Sequence, residues 1–335
     1  MQKIRFAIIG CGRIGVRHAQ QIHAYGELVA VCDIVFGKAI SLAEKYQAEA
    51  YKTLEDLLNE QKNIDVISIC SPNGLHAAQS IQCLQSGFHV LVEKPMALNV
   101  DDCRAIITAA GKAGKNLFVV KQNRFNPPVI AVKKALDNGS LGKIYNVQIN
   151  CFWNRGITYY QDTWRGTKDL DGGSLFTQFS HFIDLVYWFF GDIATVHTLT
   201  DNYAHQQIIE FEDTGAAVFK LVNGIIGSIH FTVNSFQKNM EGSLTIFGEK
   251  GTVKIGGQYL NELEYHCIEN FSFDAMPEGN AANDYGTYIG SMSNHDKEYQ
   301  QLIETIQSGN INTVNAFEGL KTVEIIQKIY RSANN

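Results

Sequence analysis

Phe6-Ala7-Ile8-Ile9-Gly10-Cys11-Gly12-Arg13-Ile14-Gly15 decides the fold. An apolar, β-branched run enters a turn with three glycines, and the amphipathic stretch Arg13–Tyr25 follows. Strand, G-x-G-x-x-G turn and helix are three parts of a dinucleotide-binding unit, and the fourth is an acid ending the next strand. Leu28–Cys32 reads as that strand and Asp33 is the acid. In this setting Gly10 permits the tight turn, Gly12 lets the backbone approach a pyrophosphate, and Gly15 allows helix and strand to pack closely. The pyrophosphate is expected at the N–H groups of Arg13 and Ile14, where the helix dipole favours an anion.

Asp33 is expected to accept hydrogen bonds from the adenosine ribose hydroxyls. A 2′-phosphate would meet a like charge, costing ~4 kcal/mol at ~4 Å and an effective dielectric of about 20. Ile34-Val35-Phe36 supplies no arginine to hold that phosphate. NAD is therefore expected over NADP.

Working outward, residues 1–123 alternate short apolar runs (Ile4–Ile9, Leu28–Cys32, Val66–Cys70, His89–Val92, Leu117–Val120) with amphipathic stretches near Arg13–Tyr25, Val35–Tyr46, Gly74–Ser86 and Val100–Ala113. Repeated strand–helix–strand predicts an α/β fold, a Rossmann-type doubly wound parallel sheet buried on both faces. After Asn126-Pro127-Pro128 the pattern changes. One helix, Val129–Asn138, precedes runs at Ile144–Phe152, Gln207–Phe211, Ala216–Leu221, Ile225–Phe231 and Ser243–Phe247 that read as a large, mostly antiparallel sheet. A helix near Phe179–Phe190 interrupts them, 271–294 reads as a long irregular loop, and helices near His295–Gln307 and Ala316–Arg331 close the chain. The predicted division is 1–123 for cofactor and 124–335 for substrate binding and oligomerisation.

Composition narrows the function classes. With 335 residues, 45% hydrophobic and 19% charged, the chain is an ordinary globular one with room for two domains. A net charge of −6 and the lack of a basic tract argue against a nucleic-acid partner. No apolar run approaches the roughly 20 residues of a membrane span. The first strand begins almost at once, leaving no room for a signal peptide, so a cytoplasmic location is expected. Seven scattered cysteines without a CxxC pair read as reduced thiols. The ten histidines show no HxxxH spacing, so no metal is expected.

Two further stretches sit at strand ends, where open α/β sheets bind ligands. Ser71-Pro72-Asn73-Gly74-Leu75-His76 follows one strand, and its functional reading is contact with the nicotinamide ribose through Ser71, Pro72, Asn73 and His76. Glu93-Lys94-Pro95 closes another. Proline restricts the residue before it, so Lys94 projects from a stiffened edge as a candidate proton-transfer group.

Together these residues resemble the glucose–fructose oxidoreductase/inositol dehydrogenase/rhizopine-catabolism (Gfo/Idh/MocA) family over essentially the whole chain. The resemblance implies a Rossmann domain followed by a mostly antiparallel α/β domain. It maps the family's lysine to Lys94 and its helix-borne histidine to His181, in Gly172-Gly173-Ser174-Leu175-Phe176-Thr177-Gln178-Phe179-Ser180-His181. Many sugar and inositol dehydrogenases of the family carry an aspartate four residues before that histidine, where this chain has Thr177. Gln122-Asn123-Arg124-Phe125-Asn126, Trp153-Asn154-Arg155, Tyr159-Tyr160, Trp164-Arg165, Asn283-Asp284-Tyr285-Gly286 and Ser293-Asn294-His295 look like a narrower group. That group is the WlbA/WbpB-type UDP-N-acetyl-2-amino-2-deoxyglucuronate 3-dehydrogenases.

The group implies oxidation of the C3 hydroxyl of a UDP-linked N-acetylaminoglucuronate during surface-polysaccharide sugar synthesis, with 2-oxoglutarate as a candidate hydride acceptor. The proton falls to the coupled Lys94/His181 pair, with His181 preferred as acceptor and Lys94 bonding the same oxygen. Glu93, Lys94, Gln122, Trp164 and Arg165 are set at the cofactor. Arg124, Asn126, Arg155, Tyr159, Tyr160, Thr177 and Gln178 are set at the substrate with Lys94 and His181. Guanidinium forks suit phosphate and carboxylate. Thr177 and His181 are expected on one helix face, being four residues apart. The resemblance also implies a homodimer or homotetramer. Two other readings stand beside it: a dehydrogenase of a free sugar or inositol, and a catalytically silent NAD-binding regulator.

Overall fold

The computed structural model describes residues 3–333 apart from 162, 287 and 313. The chain forms two compact units, Met1–Val120 with His295–Val323, and Lys121–Asn294 with Glu324–Asn335.

The first unit is built on six parallel strands: β1 (Arg5–Ile9), β2 (Glu27–Cys32), β3 (Glu49–Tyr51), β4 (Val66–Ile69), β5 (His89–Val92) and β6 (Leu117–Val119). Their order is β3-β2-β1-β4-β5-β6, and every pairing is parallel. The order reverses between β1 and β4, so the ligand crevice of such a sheet opens where Gly10 and Ser71 follow those strands. The strands carry Val, Ile and Leu on both faces because helices cover both. Helix α1 (Arg13–Tyr25) spans the residues read from its periodicity. The connection Leu54–Glu60 is a short helix not foreseen in the sequence; Thr53 starts it by accepting the Asp56 N–H at 3.1 Å. Strand β3 also went unforeseen, since three residues with one apolar ring give no alternation to read.

The division 1–123/124–335 treats each part as continuous, whereas the first unit takes back His295–Val323. The reason lies in the core. Tyr299 and Leu302, on the helix His295–Gln307, are buried among Phe6, Ile8, Ile22 and Leu91.

The second unit carries a seven-stranded sheet: β7 (Ile144–Phe152), β8 (Ile193–Asp201), β9 (Thr214–Leu221), β10 (Ile226–Thr232), β11 (Glu241–Gly248), β12 (Gly251–Gly256) and β13 (Glu262–Ile268). The order is β13-β12-β11-β7-β10-β9-β8, antiparallel throughout except β10 on β7. One face buries Val147, Ile149, Ile229, Phe231, Leu244 and Ile246. Phe179 and Phe182 pack on that side, with the Phe179 ring 6.1 Å from that of Phe231. By register, Leu199, Val218, Ile226, Phe247 and Tyr265 occupy the opposite face and are exposed.

Gln207–Phe211 is not a strand, which corrects the sequence reading. It turns instead, with the N–H groups of Ile208 and Ile209 donating to the His205 carbonyl, and Ile209 plugs a cluster with Tyr159 and Tyr160. Within 271–294 two short strands, Ala282–Asp284 and Ile289–Met292, pair antiparallel. The closing helix runs Val314–Ala333. The seven cysteines are free thiols. Among the described residues, no helix is long and apolar enough to cross a membrane.

Candidate active site

In the first unit the glycine turn is shaped by close approach. Gly10 has φ +94°, and a Cβ there would lie 2.6 Å from the Cys70 carbonyl oxygen. A Cβ on Gly15 would lie 2.0 Å from the Gly10 carbonyl oxygen, so the helix can sit this close to the turn only without a side chain. Gly12 is the opposite case. Nothing lies within 4 Å of its would-be Cβ, and as the cap of α1 it has no side chain to fold over the first N–H groups. A dinucleotide pyrophosphate fits that open N-terminus beside Arg13 and Ile14.

Asp33 secures the turn from the next strand. Its Oδ2 accepts the Cys11 N–H and its Oδ1 the Val35 N–H, each at 2.8 Å. The carboxylate stays partly exposed, and Ile34 beside it is 83% exposed, an apolar platform suited to an adenine face.

At the ends of β4 and β5 the predicted residues divide. Ser71 and Pro72 are half-buried, and Ser71 Oγ donates to Gln79 Oε1 at 2.5 Å. Asn73 is buried. Lys94 is half-buried and precedes a cis peptide bond to Pro95. Glu93 and His76, set at the cofactor from sequence, face the interior. His76 is fully buried, with Nδ1 2.7 Å from the Pro95 oxygen and Nε2 2.9 Å from the Ser71 oxygen. Glu93 accepts from His18 and His295. Its partners come from opposite ends of the chain, so no local motif announces them.

The second unit holds the other predicted residues. Gln122 and Asn126 are buried. Asn126 Nδ2 donates to the carbonyls of Tyr259 and Leu260, and its Oδ1 accepts from Asn294, so this amide ties loops together. Arg124 is committed to Asp184 through two contacts and lies 4.7 Å from the Trp188 ring. Lys121 adds a second cation, 3.6 Å from Asp184. Burial pushes the Asp184 carboxyl up, but Arg124 and then Lys121 outweigh it and hold it below the usual range.

Arg155 is buried, and no carboxylate is among its hydrogen-bond partners. It is 2% exposed, and its partners are neutral: Gln178 Oε1 at 2.7 Å, the Asn154 carbonyl at 2.6 Å and Asn239 Oδ1 at 3.1 Å. Three rings surround it, Trp153, Tyr159 and Tyr288, with centroids 5.1, 5.4 and 4.9 Å away. Gln178 also donates to the Tyr159 hydroxyl at 2.8 Å. The Arg165 guanidinium lies 4.8 Å from the centroid of the Tyr159 ring and 5.0 Å from that of Trp164; its buried Nε has no hydrogen-bond partner. Tyr160 is buried against Tyr159 and His205.

His181 is buried near the start of the helix Ser180–Phe190, one turn before Asp184. Thr177 does not share that helix. Ser174–Thr177 forms a separate turn, and Phe179 (φ −115°, ψ 5°) interrupts the run, which corrects the single-face expectation. The Thr177 hydroxyl instead donates to the buried Asp171 carboxylate, which also accepts the Gly166 N–H at 2.8 Å. Asp171, Asn239 and Tyr288 went unnoticed in the sequence, since none belongs to a spaced motif, and Asp184, which ends the histidine motif, was given no role there.

Comparison with known proteins gives two family matches. Residues 4–121 match the oxidoreductase family with an NAD-binding Rossmann fold (GFO_IDH_MocA), and 133–335 match the C-terminal alpha/beta domain of that family. The WlbA dehydrogenase of Bordetella pertussis, solved with NADH and UDP-GlcNAcA, is 36% identical with TM-score 0.86, covering 100% of this chain and 97% of that one. The Chromobacterium violaceum WlbA dehydrogenase, solved with the same two ligands, is 37% identical with TM-score 0.88, covering 100% and 94%. D-glucoside 3-dehydrogenase of Escherichia coli is 25% identical over 98% of this chain and 95% of its own length.

Proposed function

The chain belongs to the Gfo/Idh/MocA oxidoreductase family and uses NAD, and from this premise we propose that it oxidises the C3 hydroxyl of a UDP-linked N-acetylaminoglucuronate to a 3-keto sugar. The observation that carries the substrate reading is Arg155. A buried cation costs several kcal/mol unless it is paired, and ring faces return only about 2 kcal/mol. An anionic substrate group would supply the missing partner. Full-length likeness to two dehydrogenases solved with UDP-GlcNAcA says which kind of anion to try first.

Bound NAD+ supplies the hydride acceptor. The chain's own residues manage the proton and the orientation. His181 takes the proton of the C3 hydroxyl, and the Asp184 carboxylate one turn on stabilises the charge it gains. Lys94 donates a hydrogen bond to the same oxygen and stabilises its developing negative charge. Arg155 receives the carboxylate, and Tyr159, Tyr288 and Trp153 keep water from it. Arg124 serves the reaction indirectly by fixing Asp184. The cofactor-side assignments are Gly10, Gly12, Arg13, Ile14, Gly15, Asp33 and the Ser71–Asn73 turn. The product class suits sugar synthesis for surface polysaccharide, with 2-oxoglutarate as a second substrate that regenerates NAD+. The exposed apolar sheet face (Leu199, Val218, Ile226, Phe247) is proposed to bind a second copy of the chain.

A second reading, oxidation of C3 in a simple glycoside, draws on the Escherichia coli relative. Incubation with UDP-GlcNAcA, with and without 2-oxoglutarate, followed by mass spectrometry for the 3-keto product, separates them. Product from a glucoside and none from the UDP-uronate decides for the second. Full turnover by Lys94→Met with normal NAD binding removes the role given to Lys94.

A further inference from the structure

His18, Glu93 and His295 come from three distant parts of the first unit: helix α1, the end of β5, and the first residue of the helix His295–Gln307. All three are buried, and their ligand-capable atoms lie within 4.8 Å of one another, the one such group of three found among the described residues. Glu93 Oε1 lies 2.9 Å from His18 Nε2 and 3.3 Å from His295 Nε2. Its Oε2 accepts the backbone N–H of Lys94 at 3.0 Å. Burial pushes the Glu93 carboxyl up, but the hydrogen bonds from His18 and then His295 more than reverse this and hold it well below the usual range.

A carboxylate only accepts, so both imidazoles present an Nε2–H to it. Burial keeps His18 neutral at neutral pH, against the pull of Glu93. His18 Nδ1 is then a lone pair, and the Tyr299 hydroxyl 2.8 Å away donates to it. Ser68 Oγ, 3.0 Å from that hydroxyl, donates in turn. The protons therefore point one way, Ser68 to Tyr299 to His18 to Glu93. On the far side of Lys94, His76 grips the Pro95 carbonyl. The backbone on either side of the lysine is held from the interior.

We propose that the Glu93 carboxylate, clasped by His18 and His295, is the positioning residue for Lys94. It fixes the backbone from which the amine is presented and ties that backbone to the helix opened by the glycine turn. The role rests on Lys94 acting at the reacting hydroxyl; the arrangement of protons does not.

Two measurements test it. Long-range 15N–1H spectra of the full chain, assigned with His18→Gln and His295→Gln, are expected to show both rings as Nε2–H tautomers. An Nδ1–H tautomer at either ring overturns the proposal. Glu93→Gln has one acceptor where the carboxylate uses two, so kcat should fall on the order of 100-fold, the loss that follows from an ångström of misplacement. NAD affinity should stay within about threefold, because Glu93 is buried with its carboxylate turned to His18 and His295. A kcat within threefold of wild type overturns the proposal. If Glu93→Gln does not fold, Tyr299→Phe leaves the carboxylate in place and removes the donor to His18 Nδ1 together with the acceptor of Ser68. A fall in kcat with His18 still held as Nε2–H by Glu93 supports the chain of donors, and a kcat within threefold of wild type overturns it. Stoichiometric zinc in the purified protein, lost in Glu93→Gln, also overturns it by making the trio a metal centre. Absence of turnover by wild type on UDP-uronate strikes the substrate reading alone, since the tautomer measurement needs no substrate.

Discussion

Arg124 grips Asp184 with two parallel contacts, Nε to Oδ2 at 2.6 Å and Nη2 to Oδ1 at 2.8 Å, and both side chains are close to fully buried. Removing one partner leaves the other charge stranded, which costs about 3–5 kcal/mol. Arg124→Met is expected to lose stability on that scale in urea denaturation. Lys121, 3.6 Å from the same carboxylate, will reduce the loss.

The same pair sets a pH dependence. The folded carboxyl of Asp184 is lowered, so its contribution is fully present above the unfolded value of about 3.9 and disappears as pH falls through the lower folded value. Glu93 follows the same sign with a larger displacement. Wild type should therefore hold its melting temperature down to about pH 4 and lose it below. In Arg124→Met the acid transition should move to higher pH, read by circular dichroism.

Gly12 and Gly15 should fail in different ways when changed to alanine. At Gly15 the new Cβ would lie 2.0 Å from the Gly10 carbonyl oxygen, so the turn itself must move and apo stability should fall. At Gly12 the new Cβ meets nothing within 4 Å. The apo melting temperature should stay near wild type while NAD affinity drops at least about tenfold, because the methyl fills the space kept for pyrophosphate. Calorimetry of both variants separates the two outcomes.

Asp33→Asn removes the charge that repels a 2′-phosphate yet keeps an oxygen for the Cys11 N–H. The NADP/NAD ratio of kcat/KM should rise by roughly tenfold or more, since one charge pair near the surface is worth up to ~4 kcal/mol. An unchanged ratio would remove Asp33 from cofactor selection.

Arg155→Gln should lower kcat/KM for UDP-GlcNAcA by roughly 10–100-fold, the worth of one charged hydrogen bond, and leave UDP-GlcNAc nearly unaffected. Equal losses on both would show that the side chain holds the fold and not the carboxylate. Arg155→Lys keeps the charge but not the fork, and should recover part of the selectivity.

Leu199→Asp with Val218→Glu places two charges on the open sheet face without touching the buried one. Light scattering after size exclusion should show a smaller species than wild type. An unchanged mass places the contact between copies elsewhere.

Much of the first unit was legible because its signals are local. Ile4–Ile9, the three glycines and Asp33 lie in one short stretch, and each does its work on near neighbours. Strand β3 and the helix Leu54–Glu60 were not legible, being too short and polar to show a period. In the second unit, β8, β12 and β13 escaped because their exposed faces interleave Thr, Lys, Glu and His with few apolar positions. Gln207–Phe211 misled in the other direction, since Ile209 is buried by a turn that imitates alternation. The candidate site divides likewise. Arg155 and His181 stand out by motif, but Asp184 and the His18–Glu93–His295 trio depend on tertiary pairing that no spacing reveals.

The return of His295–Val323 to the first unit has a consequence for the order of events on the ribosome. The glycine turn emerges well before Tyr299 and Leu302, which share the core of its unit. Domains generally form as units during synthesis, the earliest first. Here the first unit lacks part of its core while the whole of Lys121–Asn294 is translated, and gains it only when His295–Val323 follows. The nascent NAD-binding half is thus exposed for longest, and the second unit also waits, for Glu324–Asn335, whose Tyr330 donates to Glu212.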